Sequence, residues 1–172
     1  MAVSLYEASV ERFLQNLEGA AGVLKKGREH FTAAGTDLNE IAQHRFWEDM
    51  QPLSFQVVSV AHHSIGAIEG VKSGQFGPPP RDLRSYDDLE TIVSDASARL
   101  SAFKPGEIDA LADQPLVFKA GPREMRFTGA GFLLSFSLPN FYFHAATAYD
   151  ILRSKGVPLG KRDYMGKPRF AA

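Results

Sequence analysis

The chain has no cysteine. Disulfides, thiolate metal sites and a thiol nucleophile of its own are excluded, and the composition suits a reducing compartment. A charge excess is missing too: 19 basic residues face 20 acidic ones, a formal net charge of -1. With no basic run, the chain lacks the electrostatic footprint of a nucleic-acid binder, and no nucleic-acid partner is expected. Nor is there a long apolar run. The longest, from Ala130 to Leu138, is interrupted by Ser135 and Ser137 and ended by Pro139, too short to cross a bilayer. The first residues, MAVSLYEASVERF, carry charge too early for a signal peptide. A soluble, cytoplasmic protein with no membrane partner is expected. No GxSxG, HExxH, phosphate-binding glycine loop or dinucleotide fingerprint occurs, so no local motif states the function.

What is present is enough to fold. At 172 residues and 44% hydrophobic, residues 1–172 suit one domain with a core that needs no staples. Ser4 and Glu7 form a capping-box pattern, and Val10, Phe13, Leu14, Leu17, Ala20, Ala21 and Leu24 follow at helical spacing. That first helix should run to about His30, with Gly35 at its exit. Thr36 to Gln43 suits a short helical turn. Pro52 opens a second helix, Leu53 to Val71, apolar on more than one side and therefore central. Gly74 to Pro80 reads as a stiff loop. Ser85 caps a third helix with Leu89, Ile92, Val93, Ala96, Leu100 and Phe103 on its buried stripe. Pro105 and Gly106 end it, with a short turn over Glu107 to Leu111.

Leu116 to Phe127 breaks the helical pattern. LVFK and REMRF flank Ala120, Gly121 and Pro122, a small β-hairpin that must pack on helices to be stable. The last long helix opens at Thr128 or Gly129 and carries Leu133, Phe136, Asn140, Phe143, His144, Thr147, Ile151 and Leu152. Pro139 within it should force a kink or bulge, and Gly156 stops it. About 157–172 reads as an extended tail. The fold class is all-α: a four-helix bundle with a hairpin between the third and fourth long helices.

Polar residues on apolar stripes are the candidates for chemistry. His62 shares the face of Phe55 and Ile65 on the central helix, whereas His63 falls with Gln56 and Ser59 on a more polar side. His144 lies on the inward stripe of the last helix with Asn140 one turn before it. His62, Asn140 and His144 can thus face one cavity as metal ligands, with Asp49 as a further ligand or base. The alternative is that both rings are buried, neutral and hydrogen-bonded, and that Trp47, Glu48 and Asp49 merely favour the start of the second helix. Phe55, Ser59, Phe136, Tyr142 and Phe143 are candidate pocket residues. His30 and His44 read as surface residues.

SLYEASVERFLQNL, Asp49-Met50 and above all LPNFYFHAATAYDILRSKGVPLGKRDY resemble a bacterial family known only as a domain of unknown function. That family is grouped with the DinB/YfiT-like superfamily of four-helix bundles. The resemblance spans nearly the whole chain. It implies metal binding, or transferase or isomerase activity dependent on a thiol cofactor, through one His of the second helix and an HxxxH pair of the last. Leu152, Arg153 and Gly156 match the LR..G signature that follows the final His, so His144 corresponds to the second His of the pair. Asn140 stands where the first would be, and His62 is the match on the second helix. Two function classes follow. One is a transferase, isomerase or hydrolase dependent on a divalent metal, zinc (Zn) or nickel (Ni), acting on a small molecule. The other is a non-catalytic, small-ligand-binding or stress-related bundle with structural histidines. A homodimer is expected in either case.

Overall fold

The structure, a computed structural model, describes residues 3–170. Four long helical segments pack around one hydrophobic core, and each starts where the local chemistry directs. The Ser4 hydroxyl accepts from the Glu7 N–H while the Glu7 carboxylate accepts from the Ser4 N–H. This box opens α1 (Leu5–Ala8), which breaks at Ser9 before α2 (Val10–Ala33), so the first helix is two. Asp37 caps α3 (Leu38–Ala42). The second long segment comprises α4 (Leu53–Ala61), a π-helical turn (His62–Gly66) and α5 (Ala67–Ser73). Ser85 and Asp88 form the box that opens α6 (Tyr86–Ser101). Of its predicted stripe, Leu89, Val93, Ala96 and Leu100 are buried, while Ile92 and Phe103 are half-buried. Pro105 begins α7 (Pro105–Asp109), docked to α1 where the Tyr6 N–H donates to Asp109 Oδ1 at 2.9 Å.

The loop expected at Gly74 to Pro80 contributes a strand. Gly74, at φ 76°, turns the chain out of α5. Gln75–Phe76 (β1) then pairs in parallel with β2 (Pro115–Ala120), which is antiparallel to β3 (Arg123–Thr128). The expected hairpin is thus part of a three-stranded sheet. Phe76 and Phe118 lie against Phe132 and Phe136 of the next segment, giving the strands an aromatic surface to cover.

After α8 (Gly129–Gly131) the chain widens into a second π-turn (Phe132–Ser137) and continues as α9 (Leu138–Ser154). The bulge expected from Pro139 lies immediately before it. A widened turn and a fresh helical start place the proline where its missing N–H costs little. Around the bundle, α4 packs on α9 and α6, while α2 packs on α6 and α9. The tail is not wholly extended: α10 (Lys161–Met165) lies on α2, held by Lys26 donating to Asp163 at 2.7 Å. No helix among the described residues is long and apolar enough to cross a membrane.

Candidate functional site

The two π-turns meet at His63 and Ser137, and their meeting defines the site. Widening a turn loosens carbonyls, and local hydroxyls take them up. Ser64 Oγ donates to the carbonyls of Val60 and Ala61 at 2.8 and 3.1 Å, and Ser135 Oγ donates to that of Gly131 at 2.5 Å. Gln56, Ser59 and His63 recur at helical spacing along α4 and its π-turn, and all three are buried. This stripe, polar in sequence, faces inward. His63 stands beside His144 with ring centres 5.8 Å apart and planes 12° from parallel.

Hydrogen bonds fix the protons on both rings. Gln56 Nε2 donates to the Gln51 carbonyl at 2.9 Å, so Gln56 Oε1 is the atom turned to His144. His144 Nδ1, 2.7 Å from that oxygen, must carry a hydrogen and donate it. Ser137 Oγ gives its only hydrogen to the His63 carbonyl at 3.0 Å. His63 Nδ1, 3.3 Å from the same oxygen, must therefore donate as well. Each ring keeps a lone pair on Nε2. Burial pushes the His63 imidazole down to about 3, with His62 and His144 opposing a second charge, and burial pushes His144 down to about 4, with His62 adding to it. Both rings are neutral at pH 7.

The aromatic surroundings are specific. Phe55 and Phe143 each meet His144 edge-on, at 5.8 and 5.2 Å, and Phe136 and Phe76 flank His63 at 6.0 and 5.7 Å. Phe55 is half-buried and Phe143 is exposed, so the His144 side opens toward solvent. Tyr142 points elsewhere: its ring packs on Phe141, and its hydroxyl lies within the electrostatic reach of Arg12 and Tyr164. The Ser59 hydroxyl is fully buried and has no hydrogen-bond partner among the described residues.

The metal ligands expected from sequence are not brought together as a set. His62 is next to His63 at 5.3 Å, but its Nε2 is bound to the Gly77 carbonyl at 2.8 Å and its ring stacks on Phe76 at 4.3 Å. Adjacent helical residues project from different sides of the axis, so one of the two rings turns toward α9 and the other does not. Asn140 turns its amide nitrogen back onto the Phe136 carbonyl of its own helix at 2.7 Å. Asp49 is exposed. Among the described residues no three His, Cys, Asp or Glu side chains converge as a metal-ligand group. Sequence reasoning passed over His63, Gln56 and Ser137. For Gln56 and His63 the signal was a run of polar residues, with Ser59 between them, at i, i+3 and i+7 on a helix otherwise apolar nearly all round; Ser137, on the other π-turn, had none.

A divalent ion fits this arrangement only in part. Bonds of about 2.0–2.1 Å from an ion to two imidazole nitrogens put ring centres about 5–6 Å apart, a separation met here. An ion lies in the plane of each ring it binds, however, so rings this close to parallel must swing edge to edge to share one. Two imidazoles fall short of a closed structural site, and water or substrate must supply the remaining ligands.

Comparison with known proteins agrees with the fold. A crystal structure of a DinB family member protein from Shewanella denitrificans, at 1.83 Å resolution, superposes with a TM-score of 0.81. It is 23% identical, and the match covers 98% of this chain and 95% of that one. At that identity the likeness establishes the fold alone. No curated protein matches. A family described as a domain of unknown function (DUF1993) matches residues 5–165. Spanning nearly all of the chain, that match places this protein within the DUF1993 family, on a DinB-type helical bundle.

Proposed function

We propose that this protein acts on a small molecule through the paired rings of His63 and His144, with a divalent ion such as zinc or nickel held on their two Nε2 atoms. The observation that supports it is the matched proton placement. Both Nδ1 atoms donate to oxygens whose partners are already fixed, so both lone pairs are presented by nitrogens of the same kind. Orienting an imidazole through its far nitrogen is the usual way a protein prepares a histidine ligand. Gln56 and Ser137 do the orienting, and Phe55, Phe136 and Phe76 keep water from the ring faces. Because both rings resist protonation, protons do not compete for the lone pairs at neutral pH. Bound there, an ion supplies the means to polarise a substrate oxygen or to acidify a water, the chemistry of a transferase, isomerase or hydrolase.

A second reading, a non-catalytic bundle with structural histidines, is favoured by the lack of a third protein ligand among the described residues. Cobalt(II) titration of untagged protein separates the two. The metal reading expects stoichiometric uptake with visible absorption bands, lost in His63→Ala and His144→Ala and retained in His62→Ala. Wild-type protein that takes up no cobalt, while both alanine variants merely melt earlier, refutes it.

A further inference from the structure

His62 turns away from the pair but does not turn into sealed core. It lines a cleft of about 280 Å³ on the α6 side of the same helix. Val58, Ala61 and Ile65 form one wall, and Ile92 and Ala96 of α6 face them. Polar atoms are placed at its margins. His62 Nε2 faces the Gly77 carbonyl, an acceptor, so that nitrogen carries the hydrogen and Nδ1 keeps the lone pair. Nδ1 has no partner among the described residues and is not sealed from solvent. Gly66 keeps that edge open, because a Cβ there would stand 3.5 Å from Nδ1 and any longer side chain would cover it.

The two arginines of the cleft differ. Arg99 is spent: it binds Glu69 of α5 and, at 3.2 Å, Asp95 of α6, tying the two helices together. One guanidinium offsets one of those two carboxylates, so the trio keeps a net charge of -1 and attraction of an acid falls to Arg84. Arg84 is free by comparison. Its only ion pair among the described residues, with Asp82, is a loose 3.6 Å. Its backbone is nevertheless held, since the Arg84 carbonyl accepts from Gln43 Nε2 at 3.3 Å. The cleft thus combines an apolar floor, one loosely paired guanidinium and one imidazole lone pair, a few polar groups around a hydrophobic interior of the kind that ligand sites use.

We propose that this cleft is a second binding site, for a small carboxylate with an apolar ring. The acid pairs with Arg84, the ring lies on Val58, Ile65 and Ile92, and an N–H or O–H of the ligand donates to His62 Nδ1. The site is separate from the His63–His144 pair on the α9 side and does not depend on it.

The probe is 4-hydroxybenzoate, followed by amide NMR shifts on the full chain. Saturable shifts in the millimolar range are expected at Ala61, Gly66 and Ala96. Losing the charge-assisted contact should weaken binding about tenfold or more, whether by Arg84→Ala or by using the methyl ester. Arg84→Ala lies on an exposed loop margin and leaves the core intact. Ala61→Phe, which fills the floor from a half-buried position, should abolish the shifts in protein that still melts cooperatively. Absence of saturable shifts, shifts centred on Gln56 and His144 instead, or equal binding of acid and ester each overturn the proposal.

Discussion

Lowering the pH from 7 to 5 should weaken this fold through its histidines. In the folded chain His63 and His144 hold out against protonation until about 3 and about 4, whereas an unfolded imidazole takes up its proton near 6.5. The unfolded state therefore binds more protons across that interval, and stability falls as pH falls. The contribution is complete above the unfolded value and is lost progressively down to the folded ones. Each fully shielded ring costs about 1.4 kcal/mol per pH unit below 6.5, hence about 2 kcal/mol at pH 5 and about 4 kcal/mol for the pair as an upper figure. His144 is only partly buried, so solvent screening should bring its share nearer 1 kcal/mol. Burial lowers His44 and His62 as well, which adds in the same direction. Asp88 and Asp163 do not interfere. Hydrogen bonds, from Ser85 and from Lys26 respectively, hold them below their ordinary value of 3.8, so they stay ionised throughout. The assay is urea unfolding at pH 7, 6 and 5 for the native chain and for His144→Gln. The native chain should lose about 2–4 kcal/mol, and the variant about 1 kcal/mol less. Identical pH dependence in the two proteins, or ring protons of His63 and His144 titrating near 6.5 by NMR, would refute the reasoning.

Two substitutions test the packing of the bundle. A Cβ at Gly19 would stand 2.3 Å from the Tyr164 carbonyl, a backbone atom that cannot swing aside. Gly19→Ala should lift α10 from α2, cost about 1–3 kcal/mol in thermal unfolding and speed amide exchange over residues 161–165; unchanged exchange there would show that α10 is not seated on this glycine. Ser59→Ala removes a buried hydroxyl that has no partner among the described residues, so it should be neutral or stabilise by up to about 1 kcal/mol. A loss of more than about 1 kcal/mol on denaturant unfolding would mean that the hydroxyl serves a bound molecule.

The helices were largely legible in the sequence because their signals are local. Capping at Ser4 with Glu7 and at Ser85, and the stripe from Leu89 to Leu100, act between residues a turn apart and need no distant partner. Pro139 likewise announced an irregularity that the second π-turn fulfils. The family resemblance drawn from PNFYFH and ILR..GVPLGK is met by a family match over residues 5–165. Other features depended on contacts across the chain. β1 is two residues long and carries no periodicity of its own; it exists because Val117 and Phe118 lie beside it. The five residues of α10 are too few to hold a helix without α2 beneath them.

The site shows the same division most sharply. By itself the sequence determined that the central and last helices each carry an inward-facing imidazole among aromatic residues. Only the tertiary structure decided which of two neighbouring histidines meets His144. A single residue along a helix moves the side chain to a different side of the axis, so the outcome rested on how α4 and its π-turn were rotated against α9 and α6. That rotation is set by the whole core.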